Sequence, residues 1–180
     1  SIGDRGLYAN TTGDNNIAIG YATLFKSNTS HNIAIGADAL HNMTTGQYNI
    51  AIGYQALLGT TTASYNVAIG YEAGEADTTA SQNTYIGYRA GKASNASDCT
   101  YIGFDSGLHA TGSSNTCLGH RTLDASSATG GLNTAIGREN LGSLTTGVEN
   151  TTLGYLAGSA VTTGNYNCLL YTSPSPRDTR

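Results

Sequence analysis

The chain is expected to fold as an all-β protein, a parallel β-roll or β-solenoid of about ten coils. Three observations lead there. The motif Asn-x-Ala-Ile-Gly, first complete at Asn16 to Gly20, returns at intervals of 16 to 18 residues through Gly154. An aliphatic residue holds one fixed phase in every copy. The apolar positions alternate as in a strand, and Gly and Thr interrupt any helical period. Such a short unit cannot bury its apolar face alone, so successive units must stack.

Each element of the repeat has its own reason. Ile50-Ala51-Ile52 places two Ile side chains on one face and Ala on the other, as a period of two demands. The aliphatic residue before each glycine is expected to form the core: Ile19, Ile35, Ile52, Ile69, Ile86, Ile102, Leu118, Ile136 and Leu153. The glycines Gly20, Gly36, Gly53, Gly70, Gly87, Gly103, Gly119, Gly137 and Gly154 mark a corner. A second apolar step follows, as in Gly53-Tyr54-Gln55-Ala56-Leu57, with a small third position that implies tight packing. A polar link then closes on pairs such as Thr45-Gly46 and Thr62-Ala63, which is turn chemistry. The repeat restarts at Asn16, Asn32, Asn49, Asn66, Asn83, Asn115, Asn133 and Asn150, whose amides can form a ladder along the rod. Cys99 replaces Asn in one copy.

Composition narrows the function. Only 11% of residues are charged, 24 are Gly and none is Trp. No basic cluster exists to neutralise phosphates, so nucleic acid is not an expected partner. No apolar run approaches the ~20 residues of a spanning helix, so membrane insertion of this segment is not expected. Cys99 and Cys117 sit in neighbouring repeats two positions out of phase, roughly 7–8 Å apart as diagonal neighbours. That is too far for a disulfide, so both read as small buried residues. Neither His nor Cys has metal-ligand spacing, and no cofactor is expected.

The last segment has another character. Cys168-Leu169-Leu170-Tyr171-Thr172-Ser173-Pro174-Ser175-Pro176-Arg177-Asp178 looks like the translation of a transposase sequencing adapter, and both prolines fall in it. The expected division is a single repeat array over 1–167 and a non-native, disordered tail over 168–180. Without the tail Lys+Arg falls from 8 to 6 and Asp+Glu from 12 to 11, leaving a net charge of about −5. No Met opens the chain, which reads as a fragment of a longer gene.

Energetics suggest a partner. One core Ile per coil contributes ~2 kcal/mol, whereas ordering some sixteen residues costs far more. A lone narrow stack is under-supported, and identical chains around an axis are the simplest source of further burial.

The motif Asn-x-Ala-Ile-Gly-x-x-Ala resembles the head repeat of trimeric autotransporter adhesins. The longer Thr-Thr-Gly-x-x-Asn-x-Ala-Ile-Gly-Tyr-x-Ala-Leu form resembles repeats of bacteriophage tail fibres. The resemblance covers Ile2 to Asn167. It implies a left-handed parallel β-roll, a homotrimer, and an extracellular place on a bacterial cell surface or phage virion. The implied role is non-enzymatic: attachment to a host cell-surface glycan or protein. The spacing here is longer than that of the adhesin repeat, and Tyr85, Tyr101 and Cys117 depart from it at the usual Ala position.

Other chemistries are less well matched. Ile35-Gly36-Ala37-Asp38-Ala39 resembles one hexapeptide of left-handed β-helix acyltransferases, which carry three per coil where this chain has one. A catalytic His would have to be His31, His41, His109 or His120, which occupy unrelated phases. The aromatic row Tyr21, Tyr54, Tyr71, Tyr88, Phe104 and Tyr155 reads first as a packing ladder, second as a ligand surface for sugars or proteins. Thr84, Thr100, Thr116, Thr134 and Thr151 form a row like those of ice-binding solenoids, but only a single rank, since the companion two positions on is the core Ile or Leu. Sequons such as Asn28-Thr29-Ser30 follow from the abundance of Asn and Thr.

Overall fold

One strand per coil, three residues long, is the only regular structure among the described residues. The structure, a computed structural model, describes residues 1–170. The strands are β1 (Ile17–Ile19), β2 (Ile33–Ile35), β3 (Ile50–Ile52), β4 (Val67–Ile69), β5 (Thr84–Ile86), β6 (Thr100–Ile102), β7 (Thr116–Leu118), β8 (Thr134–Ile136), β9 (Thr151–Leu153) and β10 (Cys168–Leu170). They form a ten-stranded parallel sheet in chain order, the sheet of a β-solenoid. Register is uniform: Ile17 pairs Ile33, which pairs Ile50, and Ile19 pairs Ile35, which pairs Ile52. Ile2 adds a parallel bridge to Ile19.

The array runs three residues past the expected boundary at Asn167. Cys168, Leu169 and Leu170 pair with Thr151, Thr152 and Leu153. The physical reason is local: after Asn167 the chain offers three residues of strand character to the open edge of β9, and backbone pairing does not depend on their origin. Tyr171 to Arg180, the rest of the expected tail, lie outside the described residues.

The second apolar step is no strand. After each glycine the chain alternates between ordinary and left-handed backbone, with Gln55 at φ 54° and Leu57 at φ 52°. Alternation sends successive N–H groups in opposite directions along the rod. Gln55 N–H donates back to the Ala37 carbonyl (2.9 Å), and Leu57 N–H donates forward to that of Ala73 (3.0 Å). Every coil is thereby bonded to both neighbours, as buried backbone requires. The glycine itself is obligatory: Gly53 has φ 139°, and a Cβ there would stand 2.2 Å from the Gly70 carbonyl oxygen.

The core is the reverse of the expected one. Strand centres point inward: Ala18, Ala34, Ala51, Ala68, Tyr85, Tyr101, Cys117, Ala135 and Thr152 are all buried. Ile19, Ile35, Ile52, Ile69, Ile86, Ile102, Leu118, Ile136 and Leu153 point outward and are only half-buried or exposed, reaching 48% exposure at Leu153. The interior is too narrow for two branched residues per strand. In five coils it is filled instead from across the coil by Leu24, Leu40, Leu57, Leu123 and Leu141, each four residues after its repeat glycine and fully buried. The small column Thr23, Ala39, Ala56, Ala73, Ala90, Ser106, Thr122, Asn140 and Ala157 is also buried, in keeping with its tight packing.

The Asn column sits inside the polar corner. Asn32 Oδ1 accepts both the N–H (3.0 Å) and the Nδ2 (3.1 Å) of Asn49, whose own Nδ2 also donates to the Ala63 carbonyl (2.9 Å). The backbone link repeats from Asn49 to Asn66 and from Asn66 to Asn83. Asn83 then accepts from Cys99 N–H, and the ladder resumes from Asn115 through Asn133 to Asn150. Buried amides are thus satisfied by the coil above or below, and no buried side-chain N or O among the described residues lacks a partner.

Candidate functional site

Two outward surfaces flank the repeat glycine. Before it lies the flat outer face of the sheet, two side chains per strand. Over β1–β4 both ranks are aliphatic, Ile17/Ile19 through Val67/Ile69; over β5–β9 one rank is Thr and the other Ile or Leu. The Thr row is therefore not a single rank, because its companion is exposed rather than core. No charged residue occurs on this face.

After the glycine stands the aromatic row. Tyr54, Tyr71, Tyr88, Phe104 and His120 form one continuous stack, with centroid separations of 4.9–5.2 Å and interplanar angles of 8–21°. Parallel in-register coils impose that spacing, since equivalent residues recur at the interstrand distance of ~4.8 Å. Stacking consumes ring faces, so the middle of the row offers edges and hydroxyls to a ligand. Tyr21 and Tyr155 stand apart from the stack; Arg5 lies 5.8 Å from the Tyr21 ring centroid and Arg138 5.8 Å from that of Tyr155.

Charged side chains brace the row at its side. Arg89 grips Asp105 with two hydrogen bonds (2.8 and 2.7 Å) and lies 5.1 Å from the Tyr88 centroid. Lys92 reaches Glu72 (2.5 Å) and Glu75 (3.7 Å). The hydrogen bond donated by Lys92 holds the Glu72 carboxyl below its ordinary range, and those that Arg89 donates to Asp105 raise its own guanidinium. These pairs bridge one coil to the next and act as struts.

Two further stacks escaped the sequence reading. Tyr8, Phe25 and His41 pile at 5.0 Å, as do His31, Tyr48 and Tyr65 at 5.0–5.3 Å. The signal was available, since each set is separated by 16 or 17 residues, but it lies in segments assigned to polar links. His31, His41 and His120 are thus rungs of three different stacks, while the His109 ring approaches the Asp124 carbonyl (3.5 Å); the four are not brought together.

One carboxyl lies inside. Asp77 is fully buried, accepting from Ala80 N–H (3.0 Å), Asn83 Nδ2 (3.2 Å) and the Tyr85 hydroxyl (3.2 Å). Burial outweighs these donors and raises its pKa from 3.8 to about 7. Cys99 and Cys117 are both buried and free, and burial lifts both thiols above their ordinary range.

Among the described residues no group of three or more His, Cys, Asp or Glu could hold a metal ion, and no helix is long and apolar enough to cross a membrane. Comparison with family models, curated proteins and solved structures returns no match.

Proposed function

We propose that the chain is a segment of a homotrimeric, non-enzymatic attachment fibre, displayed extracellularly on a bacterial surface or a virion and directed at a host glycan or protein. The observation that carries this reading is the outer face of the sheet. It is uncharged along its length and leaves Ile69, Leu118 and Leu153 exposed by 37%, 45% and 48%. Soluble monomers seldom leave a continuous apolar strip of this kind uncovered. A second copy offers the same periodic strip at the same ~4.8 Å spacing, and three copies around one axis close without leaving an open face. A stiff rod carrying three sets of surface groups raises weak affinities through avidity.

Sedimentation equilibrium tests the reading. The expected mass is three times the 18.5 kDa of one chain, and Ile52→Lys with Ile102→Lys should release monomers. A wild-type monomer over the whole accessible concentration range would overturn it. One observation favours a second reading: the paired Thr and aliphatic ranks of β5–β9 form a flat regular array suited to ice. Under that reading the protein is monomeric and shows thermal hysteresis, which Thr100→Lys abolishes.

A further inference from the structure

Tyrosines of this rod meet one another in three settings. Tyr85 and Tyr101 stack in the interior and are wholly buried. Tyr54, Tyr71 and Tyr88 belong to the long row, where Arg89 stands 5.1 Å from the Tyr88 centroid. Tyr48 and Tyr65 form a separate pair in the column just before the Asn ladder, with centroids 5.3 Å apart and planes inclined by 9°.

The backbone holds this pair in place. Both residues have left-handed backbone, φ 60° and 63°, so their side chains leave the rod in the same direction. On one side of the pair Tyr65 N–H donates to the Gln47 carbonyl (3.1 Å), and on the other Asn66 N–H donates to Asn49 Oδ1 (3.0 Å). The two rings therefore face each other at the spacing of one rung before any reaction.

Their edges are open to solvent. His31 covers the other face of Tyr48 at 5.0 Å, yet Tyr48 remains 47% exposed and Tyr65 60%. With both faces of the Tyr48 ring covered, what solvent reaches of it is the edge that carries the hydroxyl and the carbons ortho to it. No Asp, Glu, Lys or Arg occurs from Asn42 through Tyr71, so these two coils place no cation beside the rings to oppose loss of an electron. Phenols differ here from the Phe and His rungs: each can yield an electron and a proton, and two adjacent phenoxyl radicals couple.

We propose that Tyr48 and Tyr65 form an oxidative cross-linking site, at which a one-electron oxidant of the class of a peroxidase haem supplied with hydrogen peroxide joins the two rings as dityrosine. Each phenol gives one electron and its hydroxyl proton to the oxidant, and the peroxide is reduced to two waters. The radicals pair their electrons in a new carbon–carbon bond between ortho positions. The hydrogens on those carbons then move to the oxygens as both rings regain aromaticity, so the product is the chain less two hydrogen atoms. The bond staples successive coils and restrains their separation, the step by which a stacked array comes apart. It lies within one chain and stands or falls independently of the attachment reading.

The test treats the full chain with a haem peroxidase and hydrogen peroxide, isolates single chains on a denaturing gel and maps cross-linked peptides by mass spectrometry. A Tyr48–Tyr65 product should appear in the single-chain band, lighter by two hydrogen atoms and with the blue fluorescence of dityrosine. Tyr65→Phe keeps the stacked ring and should abolish that product. Tyr65→Phe combined with Gln82→Tyr restores the number of phenols but sets them two rungs apart, about 10 Å. Gln82 shares the left-handed backbone of Tyr65, φ 65° against 63°, so this variant is expected to fold. Coupling between positions 48 and 82 in it should fall by about tenfold or more relative to the wild-type pair, because the rings no longer start in contact. Absence of the Tyr48–Tyr65 product from single chains, dityrosine formed only between chains, or undiminished coupling across two rungs would each overturn the proposal.

Discussion

The coils of β1–β4 and those of β5 and β6 enclose the same kind of interior by opposite means. In the first region the strand centre is Ala and the space is filled from across the coil, by Leu24, Leu40 and Leu57. In the second the strand centre is Tyr85 or Tyr101, stacked at 5.8 Å, and the cross-coil position is Gly74, Gly91 or Gly107. The exchange is steric. A Cβ on Gly74 or Gly91 would come within 2.5 Å of the Tyr85 ring, and one on Gly107 within 2.6 Å of Tyr101. What is held constant along the rod is volume per coil, as close packing requires, and two tyrosines need three glycines because each ring spans the level of two coils.

Breaking the exchange should give the largest effects. Tyr85→Ala empties the second kind of interior and should cost about 4 kcal/mol in urea unfolding. Gly74→Leu overfills it and should cost about 3 kcal/mol. Left-handed backbone is no obstacle, since Leu57 holds φ 52° and Gly74 φ 61°. The double variant converts that coil to the first kind, so it should be less destabilised than either single. A double-mutant cycle with additive losses would show that the two positions do not share one space.

The regions also differ in titration. Among the described residues Asp77 is the one fully buried carboxyl, and its hydrogen-bond partners Ala80, Asn83 and Tyr85 are uncharged. Its folded-state pKa of about 7 lies above the ordinary 3.8 of an aspartate, so the folded protein binds the proton more tightly than the unfolded chain. Stability from this group is therefore fully present below pH ~4, declines as pH rises toward ~7, and is flat beyond. Asp77→Asn should remove that decline and unfold about 2 kcal/mol harder at pH 8, with little difference at pH 4. An unchanged pH profile in the variant would mean that the carboxyl is better solvated than its burial implies.

The phase of the repeat was legible in the sequence, but the direction of its strands was not. Ile-Ala-Ile alternates equally well with either set inside, and only the width of the coil decides. That width is set by Leu40 or Leu57 opposite the strand, residues whose inward aim depends on left-handed turns that no local pattern announces. The Tyr-for-Ala exchange looked like a fault in the array for the same reason, since its compensation at Gly74 and Gly91 lies on the opposite side of the coil. The aromatic row could be read directly, because one residue per period at ~4.8 Å must stack.

The smallest expected effect sharpens the comparison at the polar corner, where the second region again departs from the first. From Asn32 to Asn83 each backbone N–H of the column donates to the amide oxygen of the preceding Asn. At Asn115 the preceding rung is Cys99, so that N–H faces a sulfur, a weak acceptor. Cys99 also accepts from the Tyr101 hydroxyl (3.4 Å), which ties the substitution to the ring beside it. Cys99→Asn should restore an oxygen to both donors and stabilise the rod by about 1 kcal/mol. A loss of stability instead would mean that the larger amide crowds Tyr101, and that sulfur is retained there because the ring leaves no room for the ladder.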